Sequence, residues 1–196
     1  MSNKSLLHIP KNGGTTIRNL FEPYKPIWEK HACLQEIYDT IGEQEFLKTE
    51  YLVIVRNPWA RLYSWWKYHR LTKHLREYQC DFSEWVFKWC PHHWTGSPHF
   101  GGKHGLHYKA YVYAPVDQKS FILVNNEIPK NIKILRLENM NASWDYICDF
   151  FGKSVAPRND NRSAKRDEWK AMYNNKTKQI ANELLADDLD WLKYEI

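Results

Sequence analysis

"YLVIVRNPWARLYSWWKYHRLTKHLREY", residues 51–78, is the stretch whose reading decides the fold. Residues 51–55 form a continuous apolar run rich in β-branched side chains, with polar residues on both sides. A run without alternation suits a parallel strand buried on both faces. Pro58 then stands where a helix tolerates proline best, in its first turn, where the missing N–H is not needed. The segment therefore predicts a strand that turns directly into a helix starting near Pro58.

The same strand-to-helix turn occurs earlier, in "LLHIPKNGGTTIRNLFE", residues 6–22. "SLLHIP" predicts a short buried strand ended by Pro10. Thr15 or Thr16 is placed to cap a helix carrying Ile17, Leu20 and Phe21, and Pro23 stops it. Residues 31–42, "HACLQEIYDTIG", carry Cys33, Leu34, Ile37, Tyr38 and Ile41 at helical spacing, with Gly42 as terminator. "KSFILVNN" and "IKILRLE" predict two further strands around the turn-like "EIPKN". "NASWDYICDFFG" predicts an amphipathic helix ending at Gly152, and a last helix is expected from about Lys176 to Leu185. Strands alternating with helices imply an α/β domain built on a mainly parallel sheet, whose ligands gather beyond the carboxyl ends of the strands.

The chain's 196 residues suit one domain spanning residues 1–196, large enough to bury a core without disulfide staples. A formal charge of +5 fits a single anionic ligand site better than a nucleic-acid surface, which needs a denser basic stripe. Ten Trp, 12 Tyr and 8 Phe leave three uses open: a large core, a ring-stacking site or a sugar-binding cleft. Cys33, Cys80, Cys90 and Cys148 include no C-x-x-C pair, so thiols of a reducing compartment are expected. No apolar run approaches the roughly 18 residues of a membrane span, and no signal-peptide pattern precedes the first loop.

Two segments have the chemistry of anion half-sites. In the first, Gly13 and Gly14 let backbone N–H groups approach an oxyanion, the following helix N-terminus adds partial positive charge, Thr15 and Thr16 add hydroxyls and Lys11 adds a full charge. Its lysine precedes the glycines. A nucleoside-triphosphate loop of the G-x-x-x-x-G-K-S/T type places it after them. An ordinary glycine turn between strand and helix is the plain alternative. In the second, Arg56 leaves the end of a buried strand and Ser64 follows about two helical turns later. A guanidinium grips phosphate bidentately, and a serine hydroxyl adds a donor. Arg61 is either a third contact or a support for the loop.

Together, "HIPKNGGTT" and "VRNPWARLYS" resemble the nucleotide-binding pair of the sulfotransferases that use 3′-phosphoadenosine 5′-phosphosulfate (PAPS). The similarity is to the branch containing the heparan-sulfate O-sulfotransferases and related bacterial and viral enzymes. Pro10, Lys11, Gly13, Gly14, Thr15 and Thr16 match that family's P-K-x-G-G/S-T/S-T/S loop, with Asn12 at its variable position. Arg56, Pro58, Arg61 and Ser64 match its R-x-P-x-x-R-x-x-S segment. The resemblance implies a P-loop-type three-layer fold with helices flanking the sheet. It implies that the first loop holds the 5′-phosphosulfate, that the second segment holds the 3′-phosphate, and that no metal is required. "RLENM" and the final "KTKQIANELLADDLDWLKYEI" look like weaker family features, and "NDNRSAKR" resembles a late loop closing over the nucleotide. By that resemblance Arg162, Ser163 and Lys165 contact PAPS; otherwise they form a solvated loop.

Sulfuryl transfer to a hydroxyl needs a base for the acceptor and positive charge at the leaving phosphate. A histidine, with an ordinary pKa of about 6.5, suits the first role. "KHACLQEIYD" resembles the H-A-x-x-x-E-L/I segment of glucosaminyl 6-O-sulfotransferases, which makes His31 the candidate base and Lys11 the residue bridging the transferred group. The plain alternative for His31 is a helix-start residue that only caps or faces solvent. His8 is expected to support packing near the loop. The histidines His92, His93, His99, His104 and His107 invite a zinc reading, but their spacing matches no metal signature. An acceptor-facing loop is the better expectation there, with Trp94, Phe100, Tyr108, Tyr111 and Tyr113 available for stacking. The acceptor class favoured by resemblance is a carbohydrate hydroxyl, PAP is the product, and a cytoplasmic bacterial or viral setting is expected. A P-loop-type nucleotide kinase and a non-catalytic nucleotide-binding protein are the alternatives.

Overall fold

Three parallel strands form where the apolar runs place them: β1 (Asn3–Leu7), β2 (Thr49–Val55) and β3 (Ile132–Arg136), in the order β1-β2-β3. The computed structural model describes residues 3–21, 31–73, 78–88, 90, 117–157 and 167–195. They fall into two compact units, Met1–Arg56 with Phe121–Asn161 and Asn57–Ser120 with Arg162–Ile196. The first contains the sheet. Its register pairs Leu7 with Val53 and Val55 with Arg136, so all three strands run their carboxyl ends to the same edge. The central strand β2 is buried on both faces, as its unbroken apolar sequence requires.

Alternation along β2 sends Leu52 and Ile54 to one face and Tyr51 and Val53 to the other. On the first face they pack with Leu6, with Ile17, Leu20 and Phe21 of α1 (Gly14–Phe21), and with Trp144, Ile147 and Phe150 of a later helix, Trp144–Phe151. On the other, Tyr51 stacks against Phe46 of a short helix, Glu43–Leu47, at 5.1 Å between ring centroids. Helices therefore cover both faces of the sheet, and the coarse α/β class expected from the alternation is observed. Between α1 and that short helix lies α2 (Leu34–Ile41), started by Glu36, whose Oε2 accepts from the Cys33 N–H at 2.9 Å. In chain order we label Glu43–Leu47 α3. No disulfide joins the four cysteines.

The second unit is helical among the described residues. It holds α4 (Pro58–Tyr68), a π-helical turn at His69–Lys73 and α5 (Phe82–Lys88). Asn57 starts α4 by accepting from the Ala60 N–H at 3.1 Å, with Pro58 in the first turn. Aromatic packing ties these helices together: Tyr63 and Trp66 both meet Phe82 edge-on, and Tyr78 stacks on Trp85. The last helix expected from the sequence is present as Asn175–Leu184, followed by a further helix, Ala186–Leu192.

One expected strand is not a strand. "KSFILVNN" begins with a helical turn, α6 (Lys119–Ile122), and ends in a tight loop where Val124 bridges Glu127. Capping decides this. Asp117 Oδ1 accepts from the Ser120 N–H at 2.7 Å, and Asp188 Oδ1 accepts from the N–H groups of Gln118 and Lys119 at 2.7 and 3.1 Å. Two carboxylates satisfying the first-turn donors outweigh the β propensity of the apolar residues. Asn125 and Asn126 then adopt left-handed backbone, which no continuing strand accommodates. The remaining helices are α7 (Trp144–Phe151), closed by left-handed Gly152 as expected, α8 (Asn175–Leu184) and α9 (Ala186–Leu192).

Candidate anion-binding site

The first half-site lies directly beyond the carboxyl end of β1. From Lys11 to Gly14 the sign of φ alternates: Lys11 (+69°) and Gly13 (+77°) are left-handed, and Asn12 and Gly14 are not. Alternation of this kind turns successive N–H groups toward one side of the chain, the backbone arrangement of an anion-binding nest. A lysine in left-handed backbone is strained by about 1–2 kcal/mol. Its surroundings hold it there. Arg56, one residue past the end of β2, donates through Nη1 to the Lys11 carbonyl at 3.0 Å. Asn12 donates through Nδ2 to the Ile54 carbonyl at 2.8 Å, so its side chain is spent anchoring the loop to β2. These bonds bind the β1 loop to the neighbouring strand.

The two glycines have different reasons. Gly13 needs its positive φ, and a Cβ there would come within 2.7 Å of Leu137 Cδ1. Leu137 belongs to "RLENM", just after β3, so that segment packs over the loop. Gly14 has no positive φ; a Cβ there would meet His8 Cδ2 at 2.4 Å. Thr15 and Thr16 are half-buried in the first turn of α1, which begins at Gly14. Neither therefore stands at the cap position expected from the sequence.

His31 is part of the same unit. Its Nδ1 lies 3.0 Å from the His8 carbonyl, and the two imidazoles are 4.6 Å apart between centroids, tilted by 59°. A carbonyl oxygen only accepts, so this contact places the ring proton on Nδ1 and leaves Nε2 with its lone pair in the neutral ring. That is the protonation pattern of a general base. The structure thus gathers Lys11, Asn12, Gly13, Gly14, Thr15, Thr16, His31 and Arg56 into one unit at one edge of the sheet.

Ser64 and Arg61 belong to the second unit, three residues apart on α4, and are 2 % and 1 % exposed. Arg61 has a role inside that unit. Its charge is felt by Asp188, which is fully buried and also accepts from Gln118 Nε2 at 3.1 Å. Burial pushes the Asp188 carboxyl from 3.8 to about 6; Arg61 opposes the rise, Asp117 adds to it, and the Gln118 hydrogen bonds oppose it. Arg162, Ser163 and Lys165, like the histidines at 92–107, lie outside the described residues. Among the described residues no group of three or more His, Cys, Asp or Glu is placed to hold a metal ion, and no helix is long and apolar enough to cross a membrane.

Sequence reasoning did not find the contacts of Leu137 with the loop, the anchoring bond of Asn12, or the ring that makes Gly14 necessary. Each joins residues distant in sequence or rests on side-chain placement that no local pattern encodes. No protein-family model, curated protein or solved structure matches the chain.

Proposed function

We propose that the protein is a PAPS-dependent O-sulfotransferase with a P-loop-type fold, acting on an acceptor hydroxyl for which a carbohydrate is the favoured class. The observation that carries this reading is the pairing of an anion nest with a histidine whose Nδ1 is engaged by a backbone carbonyl. An anion loop alone suits many ligands; an oriented base in the same unit suits transfer to a hydroxyl. The nest N–H groups and Lys11 hold the 5′-phosphosulfate, and Arg56 steadies the loop while contributing charge toward the nucleotide. His31 Nε2 takes the acceptor proton as the new O–S bond forms. The S–O bond to the phosphate breaks, its electron pair stays on PAP, and Lys11 neutralises the growing charge.

Thermal melting with PAP and with ATP tests the assignment. PAP without Mg²⁺ should raise the melting temperature by several degrees at saturating concentration, and ATP with Mg²⁺ should do little. The opposite pattern would establish a nucleotide kinase instead. His31→Ala should retain PAP stabilisation yet lose transfer from labelled PAPS by at least about 100-fold. Full turnover in that variant removes His31 from the chemistry, and stabilisation by PAP with no turnover in the wild type marks a binding protein.

A further inference from the structure

His8 touches both halves of the site. It is the first residue after β1, is 6 % exposed and precedes Lys11 by three positions. On one side its ring edge lies so close to Gly14 that an added Cβ would stand 2.4 Å from Cδ2, 2.8 Å from Nε2 and 3.0 Å from Cγ. On the other side its ring meets that of His31 at 4.6 Å, and its backbone carbonyl accepts from His31 Nδ1 at 3.0 Å. The first residue of α1, the imidazole of residue 8 and the imidazole of residue 31 are therefore packed in succession, the two rings tilted rather than stacked.

We propose that His8 is a positioning residue: its ring is the spacer that sets His31 against the anion loop and keeps His31 in its Nδ1–H form. Its consequence for turnover rests on the sulfotransferase reading; its consequence for the His31 tautomer does not. The absence of a side chain at position 14 has a purpose in this arrangement. Any larger residue there would drive the His8 ring toward His31, or the loop away from β1. The spacer role asks for a flat ring of this size, and nothing in it requires a titrating one.

This separates His8 from a second proton-transfer group. His8→Ala should leave PAP affinity close to wild type but lower kcat by about 100-fold, the usual cost of a misplacement near 1 Å. His8→Phe retains a ring of similar width and should recover most of that loss. Nitrogen-15 spectra of the neutral imidazoles give a readout that needs no turnover. His31 should show protonated Nδ1 in the wild type and His8→Phe, and a mixture of tautomers in His8→Ala. Gly14→Ala should disturb the His31 signals in the wild-type background and do so much less when combined with His8→Ala. An unchanged His31 spectrum in His8→Ala overturns the proposal, as does a His8→Phe enzyme as slow as His8→Ala. If the wild type neither binds PAP nor consumes PAPS, the functional reading fails while the spectra still decide the role of His8.

Discussion

Arg56 shows how one side chain can serve both the fold and the proposed chemistry. Its sequence position, at the end of a buried strand, marked it as a ligand contact; the structure adds that Nη1 holds the Lys11 carbonyl at 3.0 Å. A hydrogen bond from a charged donor of this kind contributes about 1.5–3 kcal/mol. Lysine keeps the charge but loses the planar fork that reaches a carbonyl and an anion together. Arg56→Lys should therefore weaken PAP binding by about tenfold or more, which isothermal titration would measure. Equal affinity in the variant would mean that charge alone matters and that the clamp on Lys11 is idle. His31 was singled out through the resemblance of "KHACLQEIYD" to a family segment, and its role as base is a proposal. His8 was expected to pack near the loop, as it does; its contact with His31 was not foreseen, because it spans 23 residues and uses the carbonyl of the first residue after β1.

At the scale of elements, legibility followed how local the deciding interactions are. β2 was readable because its burial on both faces is written as an unbroken apolar run. α7 was readable because its apolar face and its left-handed Gly152 stop lie within one segment. α6 departs from the expected strand because Asp188, 70 positions from Gln118, supplies through Oδ1 the acceptor for two N–H groups at its start. Asp117, three residues before Ser120, was the one local signal for that helix start. The β1–α1 loop lies between these cases: its glycines announce a turn, but only the fold shows that Gly13 sits beneath Leu137. Gly13→Ala should cost roughly 1–2 kcal/mol from its left-handed backbone alone, with the Leu137 contact adding to it. Urea unfolding of Gly13→Ala, Leu137→Ala and the double variant separates the parts. Leu137→Ala should relieve the steric share and leave the backbone share; full rescue would show that φ at Gly13 is not constrained.

Across the whole molecule, many of the aromatic residues that composition left unassigned have gone into packing. Trp59, Trp65, Trp66 and Trp85 are buried in the helical unit, and Trp144 in the sheet unit. Composition could count them but not place them, since a ring on an amphipathic face suits a core as well as a ligand. The same unit buries a charged pair, Arg61 and Asp188, at 1 % and 0 % exposure. This has a consequence for the stability of the chain. The folded Asp188 carboxyl titrates at about 6 against an ordinary 3.8, so the folded state binds its proton more tightly than the unfolded state does. The resulting stability is fully present below about pH 4 and is lost as pH rises through about 6, amounting to roughly 3 kcal/mol. Asp188→Asn removes the titration, though its amide meets Gln118 Nε2 with a donor where the wild type presents an acceptor. The variant should thus carry a cost independent of pH, and its unfolding free energy relative to wild type should improve steadily between pH 4 and pH 6.5. Denaturant unfolding of both proteins across that range measures the difference directly. A difference that stays flat would mean that Arg61 holds Asp188 ionised throughout, and that the buried pair keeps its charge at every pH at which the protein is folded.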